Sequence, residues 1–137
     1  MTPHDMATTH AAAFTQSRPW SASEFESLLD NPITHYVGDP RCFALFQVIA
    51  GEAELLTIAT HPSVQRQGLA LETMREWHRQ AAAMEANRAF LDVAADNVAA
   101  IALYERCGYH RCGVRRAYYS RETGTKTDAL VMECRLP

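Results

Sequence analysis

Six consecutive residues, Gln65-Arg66-Gln67-Gly68-Leu69-Ala70, have the composition of a turn that can hold phosphate. An apolar, strand-like run, Leu55 to Ala59, leads to them through His61-Pro62-Ser63, and a helical pattern follows from Leu71 to about Ala86. The first turn of a helix carries backbone N–H groups with no partner inside the helix, and the macrodipole adds partial positive charge there. Gly68 and Ala70 lack bulk, so a pyrophosphate can come close to the backbone. Taken alone the stretch is a weak signal, because an ordinary glycine at a helix start is common.

Composition narrows the chemistry further. The chain of 137 residues has the size of a single domain spanning 1–137, long enough for a real core. Its formal net charge of -3 argues against a nucleic-acid partner bound by broad phosphate neutralisation. No run approaches the roughly 18 apolar residues of a membrane span. The start, Met1-Thr2-Pro3-His4-Asp5, is polar and partly acidic, unlike a secretory leader, so the expected location is cytoplasmic. Cys42, Cys107, Cys112 and Cys134 lack the CxxC spacing of a zinc site and read as reduced, structural thiols. The six histidines form no cluster, and no metal site is expected.

The elements that must position the turn follow from pattern. A short Ala/Thr-rich helix is expected over Met6 to Phe14, broken by Arg18-Pro19-Trp20-Ser21. Ser21 or Ser23 caps a second helix with Glu24 in its first turn and Phe25, Leu28 and Leu29 on one face. Ile33 to Val37 reads as a strand, Gly38-Asp39-Pro40 as a turn, and Cys42 to Ala50 as a strand buried on both faces. Gly51-Glu52 turns this into the Ala53 to Ala59 strand as a hairpin. Asn87 reads as the cap ending the long helix, Ala89 to Val93 as a strand, and Asp96-Asn97 as the cap of a helix over Val98 to Arg106 that closes at Cys107-Gly108. Tyr109 to Arg116 and Asp128 to Leu136 are two closing strands joined by the polar loop Ser120 to Thr127. This order predicts an α/β chain: a mixed sheet with antiparallel pairs at both ends and helices on both faces.

With these elements in place, two blocks resemble the GNAT acetyltransferase superfamily. Gln65-x-x-Gly68-x-Ala70 resembles its Q/R-x-x-G-x-G/A motif, and Asn97 to Tyr104 followed by Gly108-Tyr109 resembles its N-x-x-A-x-x-L-Y block. The finer resemblance is to the ribosomal-protein alanine N-terminal acetyltransferases, the RimI-like branch. Pro19-Trp20-Ser21, Arg115-Arg116-Ala117-Tyr118-Tyr119 and Asp128-Ala129-Leu130-Val131-Met132 carry it. It covers Ala11 to the C-terminus and is weakest before Trp20, where the family's first strand is short or missing. The resemblance implies the GNAT fold, a mixed, mostly antiparallel sheet with splayed central strands. It also implies acetyl-CoA as cofactor, with Ile58, Ala59 and Thr60 along the pantetheine arm. Arg66, Gln67, Gly68, Leu69, Ala70 and Leu71 would wrap the pyrophosphate, and Asn97 would reach the cofactor in the gap between the strands.

Acetyl transfer to an amine requires a neutral amine, a polarised thioester carbonyl and a proton for the departing thiolate. Tyr104 suits the last role, since a phenol with an ordinary pKa near about 10 is protonated at neutral pH. Backbone N–H groups near Ile58 to Thr60 would stabilise the oxyanion. The branch carries a glutamate where this chain has Asp92, shorter by one methylene or about 1.3 Å of reach, so the aspartate acts directly or through a water. Glu54 is the rival base, and its alternative is a solvent-facing strand carboxylate. Tyr118, Tyr119 and Arg116 are expected to border the acceptor channel. A protein N-terminus has a pKa of roughly 7.7–8.0 against about 10.4 for lysine, so a weak base suffices for the former.

The leading expectation is therefore an acetyl-CoA-dependent enzyme acetylating a protein α-amine, such as the N-terminal alanine of a ribosomal protein. A small-molecule amine, a protein lysine, or cofactor binding with little catalysis remain open alternatives.

Overall fold

The computed structural model describes residues 1–137 except Gln16, Ser17 and Glu122. Helix α1 (Pro3–Ala13) begins earlier than its composition suggests. Thr2 and Asp5 form a capping box that fixes the first turn, with Pro3 at the position where its missing N–H costs nothing. Helix α2 (Ala22–Leu29) has the expected start, a capping box between Ser21 and Glu24, and buries Phe25.

Six strands follow, interleaved with two more helices. They are β1 (Thr34–Asp39), β2 (Cys42–Ile49), β3 (Glu52–Thr60), helix α3 (Leu69–Ala83), β4 (Arg88–Ala94), helix α4 (Val98–Arg106), β5 (His110–Ser120) and β6 (Lys126–Arg135). The sheet order is β1-β2-β3-β4-β6-β5. Every neighbouring pair is antiparallel except β3 and β4, which are parallel. The first element is a helix.

Faces separate cleanly along β2. Ala44 and Phe46 pack with Met74 and Trp77 of α3 and Ile101 and Tyr104 of α4. Phe43 and Leu45 pack on the other face with Met6 of α1 and Phe25 of α2. A strand covered by helices on both sides must be apolar at every position, which is why Cys42 to Phe46 reads as an unbroken run.

Several boundaries differ from the sequence reading. The β1–β2 turn falls at Pro40-Arg41, not at Gly38-Asp39-Pro40. Gly38 stays paired with Phe43, at φ +102. A Cβ there would lie 2.2 Å from the Cys42 carbonyl oxygen, so only glycine fits. The Asp39 carboxylate accepts the Arg41 N–H at 2.8 Å and closes the turn. The β2–β3 hairpin turns on Ala50 and Gly51, both at positive φ, as a two-residue hairpin demands.

Helix α3 ends at Ala83, short of Ala86. Glu85 adopts φ +69, and the Ala86 N–H returns to the Ala81 carbonyl at 3.0 Å, a Schellman closure without glycine. Asn87 is therefore not the helix cap. Its N–H donates to the Gly51 carbonyl and its own carbonyl accepts from Leu136, which leads the chain into β4. At the end of α4 the expected closure is present, with Gly108 at φ +95 and the Tyr109 N–H bonded to the Tyr104 carbonyl. Strand β5 runs beyond Arg116 to Ser120, which shortens the polar loop before β6.

All four cysteines are free; Cys42 and Cys134 are buried, Cys107 is half-buried and Cys112 exposed. No helix among the described residues is long and apolar enough to cross a membrane.

Helix α1 is anchored by His10, buried among Phe14, Trp20 and Phe25. Its Nδ1 accepts the Trp20 N–H at 3.1 Å, so the neutral ring keeps its proton on Nε2. Burial pushes the imidazole down to about 4, against a smaller opposing effect of Glu24. The unfolded chain takes up a proton at this position below about pH 6.5 that the folded chain refuses until about 4. The stabilisation is thus fully present above pH 6.5 and is lost as pH falls through that window, by roughly 2 kcal/mol at pH 5. An NMR titration should find the His10 ring still neutral at pH 5, with the melting temperature falling between pH 7 and 5. A His10 midpoint near 6.5 would contradict the packing described here.

Candidate active site

The sheet opens in its middle. Strands β3 and β4 pair only through Glu52 with Arg88, Ala53 with Ala89 and Glu54 with Phe90. Beyond that point β3 remains paired to β2 and β4 to β6, but the two part from each other.

The cause lies one residue further along β3. Leu55 pairs with Phe46 and Thr57 with Leu45, leaving Leu56 without a partner on β2. Such a bulge bends its strand and raises the local twist. It also exchanges faces. Leu55 packs in the α3 and α4 core, whereas Thr57, two residues on, sits opposite Leu45 on the α1 and α2 side.

A cleft of about 550 Å³ occupies the opening. Leu55 to Ile58 form one wall and Asp92, Val93 and Ala94 the other. Asn97 and Tyr104 close it from α4, Tyr119 and Arg121 from β5 and the loop after it, and His10, Phe14 and Trp20 from the α1–α2 side.

Of the residues expected to act, Asp92, Asn97, Tyr104, Tyr119 and Ile58 therefore share one cleft. Ala59 is buried under α1 and α2, and the Thr60 hydroxyl lies 3.2 Å from the Cys42 sulfur; neither lines it. Glu54 is exposed on β3 and outside the lining. Arg116 and Tyr118 are exposed and outside it as well. The reason is a second irregularity. Arg115 pairs with Ala129 and Tyr119 with Thr127, so β5 spends four steps where β6 spends two. Ala117 takes φ +50 there, and its N–H is held by Asp128 Oδ1 at 2.7 Å.

Each candidate group has a definite electrostatic setting. Burial raises the Tyr104 phenol well above its ordinary value, so it is fully protonated at neutral pH. The Tyr119 phenol is pushed up to about 12, first by burial and then by the charge of Asp92. Asp92 sits 3.5 Å from the Nε of Arg115, and Arg121 binds Asp96 at 2.5 Å.

The Gln65 to Leu71 turn follows β3 through a 3-10 turn at Pro62–Val64. Arg66 and Gly68 have positive φ, and Gly68 supplies no side-chain cap to α3. The first helical bond runs from Glu72 to Gly68, so the N–H groups of Leu69, Ala70 and Leu71 have no partner inside the helix. A Cβ at Gly68 would meet nothing within 4 Å, so the space before these donors is open. An anionic phosphate chain fits this geometry.

Sequence reasoning missed Thr57, whose buried hydroxyl lacks a partner among the described residues, and the wall made by His10, Phe14 and Trp20. The only available signal was a threonine inside an apolar strand.

Comparison with known proteins points the same way. Residues 7–109 match the acetyltransferase (GNAT) family. The chain is 36% identical over 119 residues to the ribosomal protein bS18-alanine N-acetyltransferase of Escherichia coli K12, covering 83% of this chain and 79% of that one. It is 34% identical to the N-alpha-acetyltransferase RimI of Mycobacterium tuberculosis, covering 80% and 73%. The crystal structure of the Escherichia coli ribosomal-protein-S18-alanine N-acetyltransferase superposes with a TM-score of 0.87 at 30% identity, over 98% of this chain and 87% of that one.

Asn97 connects stability to the cleft. Its side-chain oxygen accepts the Ala100 N–H at 3.2 Å and caps α4, which leaves its amide as the group able to address a ligand. Asn97→Ala should cost about 1 kcal/mol in chemical denaturation, with Asn97→Ser recovering most of it. Equal stability of all three proteins would refute the cap.

Proposed function

Because the chain belongs to the GNAT acetyltransferase family, we propose that the cleft between β3 and β4 is its catalytic centre. The protein is an acetyl-CoA-dependent N-acetyltransferase, and its acceptor is a protein N-terminal α-amine. At the finer level, the acceptor is the N-terminal alanine of a ribosomal protein. Support for this comes from relatives named for that reaction, which align with four-fifths of the chain.

The residues present fit the cofactor. The donors of Leu69, Ala70 and Leu71 would hold its pyrophosphate, and backbone groups of Leu56 to Ile58, freed by the splay, would face the arm. When bound, acetyl-CoA supplies the activated acetyl group. Asp92 accepts the proton that the α-ammonium must lose before its lone pair is available. The unpaired β3 N–H groups donate to the oxygen on which negative charge develops. Tyr104, kept neutral by burial, would supply its hydroxyl proton to the departing thiolate and be restored by the second proton that the amine nitrogen loses as the amide forms. Tyr119, also neutral, borders the acceptor beside Asp92.

The single observation that carries this reading is that Asp92 and Tyr104, from β4 and α4, line one cleft at the point where the sheet parts. The α-amine's low pKa makes a modest base adequate, since about 2.5 units separate it from lysine.

An alanine-led peptide should be acetylated at its α-amine at least about 100-fold faster than the same peptide with a blocked N-terminus and an internal lysine, or than spermidine. Mass-spectrometric placement of the acetyl group decides the matter; comparable rates on lysine or polyamine would overturn it. Tyr104→Phe should lower kcat on the order of 100-fold with acetyl-CoA affinity within about twofold. Undiminished turnover in that variant would remove the acid role from Tyr104.

A further inference from the structure

Arg115 is set apart from the other cations of β5. Its partner Asp92 lies on β4, two strands away, with β6 between them. The reach is possible because of what β6 presents on that face. In register, Asp92 sits opposite Val131 and Val131 opposite Gly113, while Ala94 sits opposite Ala129 and Ala129 opposite Arg115. Opposed residues share a face, so only Val131 and Ala129 stand between Arg115 and Asp92, with no side chain at Gly113 to crowd the path. The guanidinium crosses β6 above small residues and comes to 3.5 Å from Asp92 Oδ1.

The guanidinium is also held from behind. Its carbon lies 5.3 Å from the centroid of the Tyr118 ring, and Tyr118 packs edge-on against Tyr119 at 5.1 Å. Tyr118 stands outside the cleft, yet this stack ties it to two residues that border Asp92. The extra residues of β5, anchored by Asp128 on the Ala117 N–H, let Arg115 and Tyr119 both approach the carboxylate.

An ion pair this exposed contributes little to folding, typically below about 1 kcal/mol. Its value lies in orientation. A single-methylene carboxylate has few rotamers, and a misplacement on the order of 1 Å can cost about 100-fold in rate. We propose that Arg115, stacked on Tyr118, is a positioning residue that fixes the Asp92 carboxylate for proton acceptance from the acceptor amine. The inference rests on Asp92 being the base.

The test is a double-mutant cycle in the full chain, reading kcat and KM with acetyl-CoA and an alanine-led peptide, alongside melting temperature. Arg115→Ala should lower kcat about tenfold, with both KM values within about twofold and the melting temperature nearly unchanged. Arg115→Lys, which keeps the charge but loses the planar stack on Tyr118, should recover only part of the loss. In an Asp92→Asn background, Arg115→Ala should cause no further loss. An independent, multiplicative loss in that background, or an effect confined to KM, would overturn the positioning role while leaving Asp92 as base. Full activity of Asp92→Asn by itself would instead remove the base assignment.

Discussion

The structure depends on the interruption of one parallel strand pair. Three residue pairs hold β3 to β4, and then the extra residue at Leu56 turns β3 away. Backbone N–H and C=O groups inside a sheet are strongly driven to pair, and leaving them open is costly unless another partner takes them. The parting is tolerable because each half of the sheet is complete without the other. Strand β3 keeps its antiparallel bonds to β2, and β4 keeps seven paired positions with β6. Trp77 and Tyr104 sit in one core cluster with residues of both halves. The cleft is thus an interruption of strand pairing between two complete half-sheets rather than a gap in packing.

The same interruption organises the chemistry. Bending β3 brings Leu55 to Ile58 to one wall while β4 carries Asp92 to the other. Helix α4, started by Asn97, sets Tyr104 between them. Burial keeps both phenols protonated, so two neutral donors stand with the Asp92 carboxylate, while Asp96, also in the lining, is paired with Arg121. That division suits a reaction in which an ammonium gives up two protons, one to a carboxylate and one, through a phenol, to a sulfur.

Much of this was legible in the sequence because the relevant signals are local. The Gln65 to Ala70 turn needs a glycine, and Gly68 indeed has φ +78. The Asn97 and Ser21 caps need short polar side chains, and both make the expected bonds. What escaped were irregularities without a compositional mark. Leu55-Leu56 reads as plain strand, and nothing in two leucines announces a bulge. The β5 detour places Ala117, not glycine, at positive φ, and the long helix ends on Glu85 in the left-handed region. In each case tertiary contacts impose a backbone that the residue would not choose. Asn87 misled for the converse reason: a residue suited to capping is used to join β4 to the Gly51 turn and the C-terminal strand. Long-range groupings were equally hidden, since the passage of Arg115 over β6 depends on register.

In the function proposed above, the parted strand and the helix start at Gly68 are the surfaces that receive acetyl-CoA. Amide hydrogen exchange with and without acetyl-CoA tests it directly. Binding should slow exchange in two separated segments, Leu56 to Ile58 and Gly68 to Leu71, while the β1–β2 hairpin stays unchanged. Saturating acetyl-CoA that leaves both segments unprotected would contradict it.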